Sequence, residues 1–140
     1  MPRYVDGFLV PLPKRNVDTY RRQARKAGKV WIEHGALEVR ECIADDVPRG
    51  KVTSFPRGLD LKRSEVVVFS WIVYKSRAHR DRVNAKVMAD PRLADMMDSN
   101  AMPFDAERMV YGGFETLVHL TGDTGIDTRD RRKERDGRQG

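Results

Sequence analysis

Residues 66–92 read VVVFSWIVYKSRAHRDRVNAKVMADPR, and this stretch decides the fold. Its first part, with the residue before it, is rich in β-branched and aromatic side chains, the composition of a strand over 65–74. A strand sends alternate side chains to opposite faces. Here both faces are apolar: Val67, Phe69, Trp71 and Val73 on one, Val66, Val68, Ile72 and Tyr74 on the other. Ser76 predicts the N-cap of a helix that runs to Ala89. Asp90-Pro91 ends that helix and starts a short further one, with Asp90 as its cap and Leu93, Met96 and Met97 on its buried side. A chain of 140 residues with two helical segments long enough to cover a sheet leaves one face of this strand uncovered. That surplus bears on fold and on assembly together.

Working outward, 4–10 reads as a first strand terminated by Pro11 and Pro13, which cannot donate to a central ladder. A helix follows over 16–34, with Val17, Tyr20, Ala24, Ala27 and Trp31 forming one stripe at spacings of three and four. Asn16 is its expected N-cap and Gly35 its expected C′ residue. A second strand over 36–44 points Leu37, Val39 and Ile43 one way and Glu38, Arg40 and Cys42 the other. The connection 45–62 is rich in turn residues, 99–108 is a loop, and 109–120 is the fourth strand. The order β-α-β-β-α-β is the split arrangement of ferredoxin-like folds. The expectation is an α+β domain over 1–120, a four-stranded antiparallel sheet with two main helices on one face. A homodimer through the open sheet face would cover the apolar residues left over. The polar, charged tail 121–140 is expected to be flexible.

Composition narrows the function classes. The hydrophobic fraction of 39% and charged fraction of 34% suit a water-soluble domain. No apolar run approaches the roughly 20 residues of a membrane span, and the N-terminus lacks a signal-like apolar core. The single cysteine, Cys42, forbids an internal disulfide and fits a reducing cytoplasm. The net charge of +6 is spread along the chain with acids interleaved. Its densest cluster, Lys14, Arg15, Arg21, Arg22, Arg25, Lys26 and Lys29, lies along the first helix and reads as a solvated face. Nucleic acid is therefore not an expected partner, and weak RNA binding through that helix is the minority reading.

Seven motifs in order carry a family resemblance: YVDGF at 4–8, WIEHGAL at 31–37, GKVTSFP at 50–56, FSWIVY at 69–74, NAKVMADPR at 84–92, MPFD at 102–105 and YGGFE at 111–115. Over about residues 3–120 the chain resembles the YbaA-like family of uncharacterised bacterial proteins (domain of unknown function 1428). The resemblance implies a cytosolic, dimeric α/β-barrel member of the ferredoxin-like group, without an assigned activity. Dimeric α/β barrels include cofactor-independent monooxygenases and isomerases, so an enzyme is admitted by analogy of fold, which alone does not carry function.

No motif defines a reaction. His34, His79 and His119 are well separated and lack the clustered partners of a metal site, so no metal or cofactor is expected. His34, at the end of the first helix, reads first as a terminal cap and second as a general base near Glu38. Acidic neighbours Glu41, Asp45 and Asp46 argue against a Cys42 thiolate. The paired glycines at 112 and 113 suggest a bulge or room beside an aromatic ring. The best candidate site is an apolar pocket between sheet and helices, lined by Trp31, Phe55, Trp71 and Tyr111, with Asp6, His34 and Glu115 as polar points. Asp6 and Glu115 lie on neighbouring strands, and either carboxylate, if buried, needs a partner, for which Arg40 or Arg108 is the candidate. Three function classes remain: a small-molecule binder, a structural or regulatory homodimer without catalysis, and a weak RNA binder.

Overall fold

The computed structural model describes residues 2–98 and 102–122. At its centre, β3 (Glu65–Tyr74) pairs on one side with β1 (Tyr4–Pro13) and on the other with β2 (Glu38–Ile43). β4 (Val110–Glu115) lies outside β1, giving the order β2-β3-β1-β4 with every neighbour antiparallel. α1 (Val17–Glu33) joins β1 to β2, a short α2 (Phe55–Gly58) interrupts the connection to β3, and α3 (Arg77–Met88) with α4 (Pro91–Met96) lead towards β4. This is the expected βαββαβ topology. Expectations for 99–101 and for the tail from 123 onward fall outside the described residues.

Strand parity distributes the apolar residues as expected. Val68, Ser70, Ile72 and Tyr74 are buried on the helix side of β3, together with Tyr4, Asp6, Val10 and Leu12 of β1. Two clusters form there, one of Tyr4, Val30, Ala36, Ile72, Tyr74, Val83, Val87 and Leu93, the other of Val10, Leu12 and Val68. Burying each valine, leucine or isoleucine among them contributes roughly 1.5–3 kcal/mol. On the opposite side Phe69 is 41% exposed. There the long connection returns to the sheet: Phe55 meets Phe69 edge-on at 5.8 Å, and Phe69 meets Trp71 at 5.7 Å.

The helix ends follow local chemistry. Ser76 accepts from the His79 N–H at 3.1 Å, Asp90 from the Arg92 N–H at 3.0 Å, and Ser54 caps α2 through the Arg57 N–H. Gly35 takes a φ of 118° just past α1, a conformation that costs other residues. Asn16 stands at the α1 N-cap position but does not cap: its Nδ2 donates to the Pro103 carbonyl at 2.7 Å and ties the start of α1 to the segment before β4.

Three strands differ from expectation in their bounds. β1 runs through both prolines. Lys14 donates to the Ser64 carbonyl and Thr116 to that of Arg3, so even-numbered β1 residues exchange bonds with β3 and odd-numbered ones with β4. β4 begins only opposite Leu9, so the nitrogens of Pro11 and Pro13 face an unpaired edge where no N–H is needed. β4 stops at Glu115, opposite Tyr4 at the start of β1, rather than near residue 120. β2 is shorter by two residues at its start and one at its end, although Leu37 and Ala44 still donate to β3.

One glycine is fixed by packing. The Tyr4 ring lies across β4, and a Cβ at Gly113 would stand 2.7 Å from its Cε2. The Arg80 guanidinium covers the same ring at 4.9 Å from the centroid, so the ring cannot simply move aside. Gly113→Ala is expected to cost ~1–3 kcal/mol. At Gly112 a Cβ would meet Phe114 at an ordinary 3.7 Å, so Gly112→Ala should stay within ~0.5 kcal/mol. Urea unfolding of the two variants checks this, and equal losses would contradict the packing account.

Candidate functional site

Between the helix side of the sheet and the helices lies a cleft of about 580 Å3. It exists because α1 presents small residues, Ala24, Ala27 and Gly28, where a larger stripe would have closed the space. Gly28 also brings α1 close to β2: a Cβ there would sit 3.3 Å from Val39 Cγ1. Members of both core clusters, Val10 on one side and Ile72 and Tyr74 on the other, form part of the floor. The opposite wall is sulfur-rich. Met88, Met96, Met97, Met102 and Met109 all line the cleft, five of the six methionines in the chain. Unbranched thioethers adapt to irregular apolar shapes and contact aromatic rings favourably. Phe8, stacked on Tyr111 at 6.4 Å, and Trp31 add aromatic surface.

One end of the cleft carries a hydrogen-bonded network. Asp6, 6% exposed, receives Arg80 Nη1–H at 2.7 Å, while Arg80 Nε–H reaches Asp81 at 2.8 Å. Asn84 Oδ1 accepts from Trp31 Nε1–H at 3.1 Å and from the Tyr74 hydroxyl at 3.2 Å. Burial pushes the Asp6 carboxyl above its usual 3.8, and the Arg80 charge with hydrogen bonds from Tyr74, Asn84 and Arg80 pulls against it. Burial, followed by the Asp6 charge, raises the Tyr74 phenol. A second polar point stands on β2, where the Tyr20 hydroxyl donates to Glu41 Oε1 at 2.7 Å. Glu41 is exposed as a residue, and part of that surface faces the cleft; its carboxyl is crowded enough for burial to raise its pKa, with hydrogen bonds from Tyr20 and Ser70 opposing.

Of the seven residues expected to share a pocket, the structure brings Asp6, Trp31 and Tyr111 together and separates the other four. Trp71 has odd parity on β3 and lies on the opposite face, donating to Glu38 Oε2 at 2.8 Å beneath Arg40. Phe55 packs on that face too, against Phe69. Glu115 is exposed at the end of β4. His34 sits at the α1 C-cap, where Nε2 meets Asp90 Oδ2 at 2.9 Å rather than Glu38. Arg92 bridges Asp90 and Glu33 at 2.7 and 2.9 Å, so this group latches the end of α1 to the start of α4. Hydrogen bonds from Arg92 and then His34 hold the Asp90 carboxyl far below the usual carboxylate range.

The partner of Asp6 is likewise corrected. Arg40 pairs with Glu38, and Arg108 with Glu65 at 2.6 Å and with the carbonyls of Leu59 and Asp60. Arg80 takes the role expected of them. The sequence held a signal for it: Arg80, Asn84 and Met88 recur every four residues, one face of α3. Among the described residues no group of three or more histidine, cysteine or acidic side chains is placed to hold a metal ion. No helix there is long and apolar enough to cross a membrane.

Topology and cleft together define a ferredoxin-like α+β domain. Two solved structures share the fold: a dimeric ferredoxin-like protein from an uncultured marine organism (TM-score 0.56, 10% identity, 86% of this chain and 100% of that one) and a putative antibiotic biosynthesis monooxygenase from Nitrosomonas europaea (TM-score 0.53, 14% identity, 82% and 90%). The chain belongs to the family described as "Protein of unknown function (DUF1428)", whose model matches residues 3–106. It is 49% identical over 116 residues to "Uncharacterized protein YbaA" of Escherichia coli (strain K12), covering 83% of this chain and 97% of that protein, and equally similar to YbaA of Shigella flexneri. The family match ends before the YGGFE segment.

The raised carboxyl of Glu41 carries a pH signature. A carboxyl that binds its proton more tightly when folded stabilises the fold fully below the unfolded value of 4.5, and that contribution is lost as pH rises through the folded pKa. Urea midpoints measured from pH 4 to pH 8 should therefore fall less with rising pH in Glu41→Gln than in the unsubstituted protein. Superimposable pH profiles would refute the desolvation of Glu41.

Proposed function

We propose that the protein binds a small organic molecule in the cleft between sheet and helices, and does so as a homodimer whose open sheet faces meet. The observation that carries the first part is the cleft itself. A volume of about 580 Å3, walled by methionine and aromatic side chains with two carboxyl groups on its floor, has the size and lining of a small-molecule site. The energetics support the same reading. Collapse of the helices onto the sheet would gain apolar burial, yet α1 carries alanines and a glycine where larger side chains would fill the space.

The second part is supported by the open face, where Phe114 is 63% exposed and Phe69, Val110 and Phe55 are also exposed. A contiguous apolar face of this kind is ordinarily covered by a partner. A second copy presents the same face, so a two-fold arrangement covers both at once. The likeness to a dimeric ferredoxin-like protein supports this partner. A purely structural or regulatory homodimer is the second reading, favoured by the Asp6–Arg80–Asn84 network, which is well bonded without a ligand. The lone cysteine fits a cytoplasmic setting.

Native mass spectrometry of protein purified from its own host separates the readings. The proposal expects twice the chain mass with a small retained adduct. Ala27→Phe, which fills the cleft, should lose the adduct and keep the dimer. Phe114→Asp should yield monomer. A dimer free of adduct, with bound-probe signals indifferent to Ala27→Phe, would favour the structural reading, and a strictly monomeric mass would remove the assembly claim.

A further inference from the structure

The cleft floor holds two carboxyl groups in unlike surroundings. The registers Asp6↔Ile72 and Glu41↔Ser70 set them two strands and two residues apart, about 12 Å between Cα atoms from strand spacing and rise. Asp6 has a cation against it, Arg80 at 2.7 Å. The partners of Glu41 are neutral hydroxyls, those of Tyr20 and Ser70. Among the described residues no lysine or arginine stands within ion-pair distance of Glu41, and Arg80 is the one cationic side chain lining the cleft, held between Asp6 and Asp81. Glu41 also borders a groove between α1 and β2 that Arg21, Arg25 and Lys29 line, but none of the three is in ion-pair contact with it, and Arg21 is paired with Asp18. The cleft lining, with Asp6, Glu41 and Arg80 as its charged side chains, thus has an acidic balance of one carboxyl in a chain of net charge +6.

That balance selects for the sign of a ligand. A carboxylate entering the cleft would meet the like charge of Glu41, which has no cation against it, and Asp6 is already neutralised by Arg80. An ammonium would supply the cation that Glu41 lacks, beside the ring of Tyr20, and aromatic faces attract cations. Its hydrocarbon body would lie along Trp31 and the methionines. We propose that the cleft takes a lipophilic amine, with the ammonium group on Glu41 and the apolar body against the methionine wall. This rests on the reading of the cleft as a binding site.

The test uses the full chain and the neutral dye Nile red, displaced in turn by three probes with one hydrocarbon body: naphthylmethylamine, naphthylmethanol and naphthoate. The amine should displace the dye at a concentration lower than naphthoate by about tenfold or more. Glu41→Gln, which keeps an acceptor for the Tyr20 hydroxyl and should fold normally by circular dichroism, is expected to remove most of the amine's advantage over the alcohol and to leave the alcohol unchanged. Naphthoate matching the amine on the unsubstituted protein, or an advantage that survives Glu41→Gln, would overturn the assignment while leaving the cleft reading intact. Dye uptake that is indifferent to Ala27→Phe would instead defeat the cleft reading, and the amine assignment with it.

Discussion

The structure depends on one constraint: β3 is apolar on both faces, and the helices can cover only one of them. Tyr74, Ile72 and Val68 take the covered side and organise the two core clusters. Phe69, Trp71 and Val73 are left to the other side, where α2 and its loop shelter one end and the rest of the sheet stays open. Because side-chain direction alternates along a strand, no sliding of register relieves this; a shift by one residue would merely exchange the two faces. The molecule therefore has two apolar surfaces with different fates. One becomes core and cleft, and the other is available to a second copy.

On the helix side the cleft results from a balance between closing and holding apart. α1 approaches β2 closely at Gly28, yet Ala24 and Ala27 leave space farther along the same face. Polar cross-links fix the helix layer at that distance. Trp31 of α1 and Asn84 of α3 are joined over Tyr74 of β3, and Arg80 of α3 is joined to Asp6 of β1. The His34–Asp90–Arg92–Glu33 group latches α1 to α4. A buried carboxylate such as Asp6 is tolerable only with its cation and hydrogen bonds in place. The same groups that hold the cleft open thus give it a polar end.

Much of the fold was legible because it rests on period and punctuation. Alternation in 66–74 divided the apolar β3 side chains into the two sets that the sheet separates, and Ser76, Asp90 and Gly35 marked helix ends where they lie. Pro11 and Pro13 misled, because their effect depends on which neighbour each backbone nitrogen faces, and that is a property of the sheet rather than of β1. The site was legible in part. Asp6, Trp31 and Tyr111 line the cleft as expected. Trp71 and Phe55 were grouped with them as aromatics, although the parity of Trp71 already placed it on the other face. Arg80 and Asn84 are absent from the expected pocket, although their spacing with Met88 marks one line along α3. Glu41 reads in the sequence only as an acidic neighbour of Cys42, because its partner Tyr20 is 21 residues away and meets it only through the α1–β2 packing.

The two tryptophans stand on the two apolar surfaces, Trp31 in the cleft and Trp71 on the open face, and this makes the central claim directly measurable. In single-tryptophan proteins, Trp71→Phe and Trp31→Phe, acrylamide quenching reports each surface separately. If the faces of β3 serve two different partners, dilution through dimer dissociation will expose Trp71 and leave Trp31 unchanged, and a cleft-bound probe will shield Trp31 and leave Trp71 unchanged. Quenching of both that changes together with dilution, or shielding of Trp71 by the probe, would contradict the division of labour between the two faces.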